Sequence, residues 1–551
     1  MNAKELPARP NVDQYKKQAK ELLKSCKAGD PEAIQRFKAH HLRFIKLPDS
    51  EIAHVKIALA EAHLVIAREH GFESWPKFTK HIERLSLEKS LAAITDPLAE
   101  FIVTASVPRD GSWHVSGTLE RAEAILAAHP EVALGNIHAA AILGDDVAVR
   151  RFLALDPGSA TAKGGPHAWD ALTYLCFSKY LRLDRARSEG FVRSAKALLD
   201  AGADPNGGWF EKDHQPEPIK ECVLYGAAGV AHHAELTRLL LEYGADPNDG
   251  ETPYHTPESY DNAALKVLVE SGKLNDDNLA MILIRKADWH DYEGMRWLLE
   301  HGVDPNHASP WGHTAMHHAV LRDNGKNVLQ VLLDHGADPT IMSHRSRANK
   351  LVEQGKSVSA LAARRGRGDL LELFEQRGFS TELQGVERLI AACARNNSAS
   401  VRAIAEGDPV LVSELLKEGG TLLAEFAGTA NAGGVKQVLD LGVPVTALYG
   451  GDMYFDIAAN STALHVAAWK AWSEVVKLLI ERGAPVNALD AKGRTPLMLA
   501  VKACVDSYWK NRRTPDSVAA LLRAGASLDG VEYPSGYEEI DKLLREFGAV
   551  A

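Results

Sequence analysis

Short amphipathic segments set the pattern of apolar and polar positions along this chain, and many of them end alike. A helix-period run closes on paired leucines and an acid at Ala197-Leu-Leu-Asp200, Arg238-Leu-Leu-Leu-Glu242, Trp297-Leu-Leu-Glu300, Val331-Leu-Leu-Asp334 and Lys477-Leu-Leu-Ile-Glu481. Each is followed by a glycine. That glycine opens Gly-Ala-Asp-Pro-Asn at Gly202–Asn206 and Gly244–Asn248, Gly-Val-Asp-Pro-Asn at Gly302–Asn306 and Gly-Ala-Asp-Pro-Thr at Gly336–Thr340, with weaker copies at Gly442, Gly483 and Gly525. A glycine just past a helix takes left-handed backbone at little cost, and the proline soon after it prevents the helix from resuming.

A second signature opens the next helix: Thr314-Ala-Met-His317, Thr462-Ala-Leu-His465 and Thr495-Pro-Leu-Met498. The threonine caps free helix N–H groups. The small residues behind it, as in His465-Val-Ala-Ala468, let neighbouring helices stack closely. The pattern therefore predicts one supersecondary unit of paired short helices, repeated and piled sideways. From Gly302 to Gly336 the step is 336 − 302 = 34 residues, whereas 244 − 202 = 42 and 483 − 442 = 41. The extra residues fall between Asp-Pro-Asn and the next cap, so they lengthen loops.

These strings resemble the Thr-Pro-Leu-His and Gly-Ala-Asp-Pro-Asn motifs of ankyrin repeats, whose period is roughly 33 residues. The resemblance covers about Thr118 to the C-terminus. It implies an all-α ankyrin-repeat solenoid over 118–551, with enlarged finger loops, whose motif histidines bond the turn backbone. Residues 1–85 read differently, as helices over Asn11–Ala28, Pro31–His41, Ser50–His70 and Trp75–Leu85. Their Leu-Pro-Ala-Arg-Pro-Asn and Gly-Phe-Glu-Ser-Trp-Pro strings are similar to the N-terminal leader of a group of bacterial ankyrin-repeat domain proteins. This region is expected to form a helical N-terminal cap, joined through a connecting segment, 86–117, that carries Gly111-Ser-Trp-His-Val-Ser-Gly117.

Composition narrows the function. The net charge of −10 opposes phosphate-backbone binding. The basic clusters Arg182/Arg185/Arg187, Arg364/Arg365/Arg367 and Lys510/Arg512/Arg513 read as solvated helix ends and loops. Five cysteines without a CxxC pair indicate neither a disulfide framework nor a zinc knuckle. The polar N-terminus lacks a signal-type apolar stretch. No apolar run is long enough for a membrane span, and a reducing cytoplasm is the expected home.

Irregular fingers are where a binding solenoid touches its partner. The loop after Asn206 carries Trp209 and Phe210. The Thr252-Pro-Tyr254-His255 opening is followed by Pro257 and Glu258, which predicts a short or broken inner helix beside a notch of Tyr254, His255 and Tyr260. A third long finger holds Tyr449, Tyr454 and Phe455, while Trp169, Trp311 and Trp469 stand near finger tips or inner helices. The expected contact set is Trp169, Trp209, Phe210, Tyr254, His255, Trp311, Tyr449, Tyr454, Phe455 and Trp469. Packing of these aromatics against the protein's own helices is the competing reading. If they serve contact, Trp209→Ala with Tyr454→Ala weakens binding and leaves unfolding nearly unchanged.

His313, His317 and His318 superficially resemble helical zinc spacing, but His317 is the motif histidine. His232-His233 and the Asp288–Asp291 stretch fall between paired helices and read as structural. No phosphate loop, HExxH, Gly-x-Ser-x-Gly or EF-hand string is present. Catalytic residues, metals and cofactors are therefore assigned as none. The reading leans away from an enzyme and towards an interaction protein whose concave surface takes a protein partner, with no nucleic acid and no membrane. The rival is an enzyme or small-molecule binder whose fingers 207–221, 249–260 and 448–460 close a pocket, with Asp213, His214 and Glu217 beside Tyr254, His255 and Glu258 as acid/base groups.

Overall fold

The computed structural model describes residues 3–549 apart from 8–9, 53–54, 56, 110–112, 212–217, 345–354 and 508–511. The expected Asp213/His214/Glu217 groups, Gly111 and Lys510 lie outside the described residues. Two compact units are present, dividing between Gly202 and Ala203. Among the described residues no helix is long and apolar enough to cross a membrane.

In the first unit, helices Val12–Lys27, Pro31–His40, Leu59–Glu69 and Trp75–Ala92 enclose a core that includes Tyr15, Phe37, Phe44, Ile66 and Phe78. The continuous helix expected over Ser50–His70 is two pieces, Asp49–Ile52 and Leu59–Glu69. The second piece starts afresh because the Glu61 carboxylate reaches back to accept from Ala58 N–H at 2.9 Å. Glu69, 4% exposed, is tolerated because Lys4 and Arg36 both donate to it. Shorter helices follow, and Pro97–Ala105, Ile137–Ile142 and Ala171–Cys176 pack successively.

The second unit is built from repeated helix pairs. Inner helices Asp276–Asp288, Ala315–Leu321, Val358–Arg364 and Val386–Ala394 pack one on the next, as do Gly419–Gly428, Ala463–Trp469 and Pro496–Val505. One apolar core runs through them from Leu265 to Ala549. Gly302 takes φ +84° after helix Tyr292–Glu300, and its own amide and that of Val303 donate to Leu299 O and Leu298 O. This is the helix stop that the glycine–proline spacing predicts.

The asparagine of the Asp-Pro-Asn string ties one repeat to its neighbour. Asn306 Nδ2 donates to Gly336 O at 2.8 Å, and its Oδ1 accepts from Asp338 N at 2.8 Å. Asn206, Asn248 and Asn487 make the same double contact one repeat on, to Gly244 and Asp246, Lys273 and Asn275, and Gly525 and Ser527. Asn306→Ala is expected to lower stability by about 1–2 kcal/mol by removing two such bonds, measured as a fall in urea midpoint; an unchanged midpoint would exclude a bridging role.

Motif histidines act as the resemblance implies. His465 Nδ1 accepts from Thr462 N at 3.1 Å, and its Nε2 lies 3.1 Å from both Ala488 O and Arg494 O on the following finger. His317 likewise joins Thr314 to Lys356 O. Burial lowers the pKa of both rings, that of His317 to about 4, which fits a neutral ring with one accepting and one donating nitrogen. The long fingers fold into short antiparallel hairpins, Gly208–Glu211 with Ile219–Cys222 and Leu448–Tyr449 with Ser461–Thr462.

Candidate functional site

A recurring inter-helix turn passes through one residue with left-handed backbone. In the second unit His232, His290, Asp323, Gly366, Asn396, Ala430 and Ala471 hold this place, each with positive φ. The repeat register therefore makes the preceding residue equivalent from pair to pair, and there stand Arg322, Arg365, Arg395 and Lys470. Each caps the C-terminal end of an inner helix, where a cation meets the negative end of the helix dipole.

Carboxylates are threaded among these cations. Asp288, 5% exposed, accepts from His318 Nε2 at 2.7 Å and from Arg322 Nε at 2.6 Å, and it also pairs with Arg285. Burial alone would raise its pKa, but His318, Arg285 and Arg322 outweigh burial and hold it well below the usual carboxylate range. Asp323 pairs with Arg365, at 2.7 Å, and with Lys470, and the same cations hold it low against burial. Arg365 in turn reaches Glu425 at 2.9 Å. The Arg364/Arg365/Arg367 cluster, expected to be solvated, is thus drawn inward: Arg365 is 5% and Arg367 9% exposed. Asp323 and Glu425 from other repeats make the burial of Arg365 tolerable, and the neighbouring Asp369 that of Arg367, since a buried charge survives only when paired and hydrogen-bonded.

The 448–460 finger lies across this charged row. Tyr454 Oη donates to Asp288 O at 2.6 Å, although 166 residues separate them. The Arg322 guanidinium stands 3.7 Å from the Tyr454 ring centre, and Lys470 Nζ 3.9 Å from that of Phe455. Trp469 Nε1 donates to Phe455 O, and Tyr449 Oη donates to Glu425. Gly451, at φ +94°, permits the tight return: a Cβ there would meet Ile457 O at 2.7 Å. Ala491 N donates to Ala459 O, and Asp456 pairs with Lys492 and Arg494, joining this finger to the next.

The expected contact residues separate accordingly. Tyr449, Phe455 and Trp469 are buried and brace the finger. Tyr254, His255, Trp311 and Tyr454 are half-buried around the same charged row, with Tyr254 and Trp311 edge to face at 5.9 Å. Trp209 is buried while Phe210 is 56% exposed, because neighbouring strand residues face opposite ways. An unchanged unfolding curve for Trp209→Ala is therefore no longer the expectation. Trp169 lies in the first unit, buried beside Tyr174 and Phe177. The inner helix of the Tyr254 repeat is short, Glu251–His255, as Pro257 predicts. Tyr260 is exposed and donates to Trp289 O.

His313, His317 and His318 do not converge. His313 Nε2 meets His318 Nδ1 at 2.8 Å, their rings stacked, while His317 serves the cap. His233 caps helix Ala234–Glu242, and His290 provides a left-handed turn. The sequence pattern does not mark Arg285, Arg322, Asp323 or Glu425; it points to Lys470 only as a residue beside Trp469 turned towards a partner, whereas the structure pairs it with Asp323, and it places Asp288 in a turn alone. Registering the chain on its inter-helix turns would have lined up the cations but could not have shown which acids meet them.

A family model described as Ankyrin repeats (3 copies) matches residues 258–343 and 402–529. The chain is 36% identical over 115 residues to diacylglycerol kinase iota of Mus musculus, covering 19% of this chain and 10% of that protein. It is 32% identical over 123 residues to a putative ankyrin repeat protein of Rickettsia bellii, covering 19% of this chain and 48% of that one. The chain thus spans a tenth to a half of the length of these relatives. Among solved structures it is similar to the human ASB11 ankyrin repeat domain, with 21% identity, a TM-score of 0.20, and coverage of 44% of this chain and 98% of that one. The fold is an all-α ankyrin-repeat stack.

Proposed function

We propose that this protein is an interaction scaffold whose ankyrin surface binds a protein partner through its enlarged fingers. One observation carries the reading. On the two joined fingers Leu448, Met453 and Leu489 are 59%, 97% and 63% exposed, while the aromatics around them are turned inward as braces. Exposed apolar side chains held on a braced loop offer contact area with little ordering left to lose. The contact set proposed from the sequence shifts towards these three and Phe210, with Tyr254, His255, Trp311 and Tyr454 behind them. The same proposal keeps the division into a helical cap, 1–85, a connecting segment, 86–117, and a repeat array from 118 onward, in a cytoplasmic protein of the bacterial leader-bearing type.

The test is to replace Leu448, Met453 and Leu489 together by serine and compare cross-linked partner capture with that of the native protein. Capture is expected to fall at least about tenfold, the equivalent of 1.4 kcal/mol, with thermal unfolding little changed because the sites are on the surface. Equal capture by both proteins would remove the fingers from the interface. A second reading, a small-molecule or enzymatic site under the fingers, is favoured by the Tyr454–Asp288 contact across the charged row. Against it, Asp288 and Asp323 are each already matched by cations of the same chain.

A further inference from the structure

Beside the charged row the hairpin 208–222 meets the stretch 249–258, where Cys222 Sγ donates to Asp249 Oδ2 at 2.6 Å, and carboxylates stand on both sides of that join. Glu251 Oε2 lies 3.1 Å from His255 Nε2, and Glu258 Oε2 lies 3.0 Å from His255 Nδ1, so one imidazole stands between two acids. Glu221 is of another kind. It is 2% exposed, and its Oε2 has no hydrogen-bond partner among the described residues. Strand register sets Glu221 opposite Trp209, and both are buried on the same face of the hairpin. Tyr225 and Tyr254 flank the histidine, their ring centres 5.1 and 4.7 Å from it.

A buried carboxylate with an unused oxygen is costly unless something positive reaches it. Burial first, then Glu251, Glu211 and Asp249, push the Glu221 carboxyl up to about 8, against the pull of His255. His255 is raised to about 9: its two carboxylates outweigh its burial. The side chains of His255 and Glu251 are 24% and 20% exposed and Glu258 12%, so solvent reaches the group from their side, with Glu221 innermost. The same surroundings already hold one guanidinium. Arg285 pairs with Glu258 and lies 4.2 Å from the Tyr254 ring centre, its planar group between carboxylate and aromatic face.

We propose that Glu221, with Glu251 and Tyr225 beside it, forms a binding site for the guanidinium group of an incoming organic cation, while Glu258 and Tyr254 stay engaged by His255 and Arg285. The ligand is a free guanidine or an arginine of the partner; only the second source rests on the scaffold reading. Entry of the cation stabilises the ionised form of Glu221, which releases its proton to solvent.

Calorimetric titration of the whole chain at pH 7 tests this with methylguanidinium, with the capped tripeptide acetyl-Gly-Arg-Gly-amide, and with magnesium ion. Saturable binding is expected for a guanidinium probe, with a heat that varies with buffer ionisation enthalpy because up to about one proton is released per site. That release fades above about pH 9, where Glu221 is already ionised. Glu221→Gln, which keeps shape and cannot ionise, is expected to weaken binding by about tenfold or more and abolish the proton release. Binding of both guanidinium probes supports a free guanidine or an arginine alike, and binding of the peptide alone assigns the site to a partner's arginine. Methylguanidinium binding beside failed partner capture leaves this site standing and removes the scaffold reading. No saturable heat with either guanidinium probe, saturation by magnesium alone, or buffer-independent heats in the native protein would overturn the proposal, and the native titration decides it even if the variant does not fold.

Discussion

Asp288→Ala is expected to destabilise the second unit by about 3–5 kcal/mol, the cost of leaving buried charges without their partner. The carboxylate is the only one with which Arg322 pairs among the described ion pairs, and it also holds His318 and Arg285. Arg285 keeps Glu258, but Arg322 would remain 7% exposed over the Tyr454 ring with its charge unmatched. Asp288→Asn separates charge from shape. It is expected to recover little of the loss, because an amide cannot balance two guanidinium groups. Urea unfolding at pH 7 reads both variants, and an asparagine variant within about 1 kcal/mol of the native protein would show that hydrogen bonding alone holds the row together.

Acid gives an independent check with a definite sign. The Asp288 carboxyl sits below its ordinary range in the folded protein despite its burial. Its contribution is therefore complete above the unfolded value of about 4 and is lost as pH falls below that. The stability gap between native protein and Asp288→Asn should narrow progressively under acid. A gap that stays constant down to pH 2 would place the carboxylate's role elsewhere.

Trp209→Ala is the second large effect expected, about 3–5 kcal/mol for truncating a buried aromatic. Its neighbour Phe210, on the opposite face of the same strand, should cost less than about 0.5 kcal/mol when cut to alanine, as an exposed site does. Thermal unfolding of the two single variants compares adjacent residues of the same chemical class. Similar losses from both would mean that the hairpin does not set their faces, and the inward placement of Glu221 would fall with it.

The finger aromatics show where reading by residue type reached its limit. Tryptophan and tyrosine in glycine-rich loops are consistent with contact or with packing, and nothing local separates the two. For Trp209 the alternation of a hairpin decides; for Phe455 and Trp469 it is a hydrogen bond between them and a lysine over the ring. Tyr454 shows the same limit at longer range, since its hydroxyl partner belongs to a turn 166 residues earlier. The arginines at 364 and 365 looked solvated for a related reason: their acids lie at 323, 387, 418 and 425 and become neighbours only once the repeats are stacked.

By itself the sequence determined the repeating unit: helix stops at Gly302 and its equivalents, caps at Thr314 and Thr462, the motif histidines, and the short helix before Pro257. All of these rest on forces acting over a few residues, chiefly backbone sterics and capping hydrogen bonds, which any segment carries with it. Only the tertiary structure decided which charges are buried, which aromatics face outward, and that Glu221 is left with an unused oxygen. Those outcomes depend on desolvation and on pairing between groups remote in the chain, and stacking is what brings the groups together.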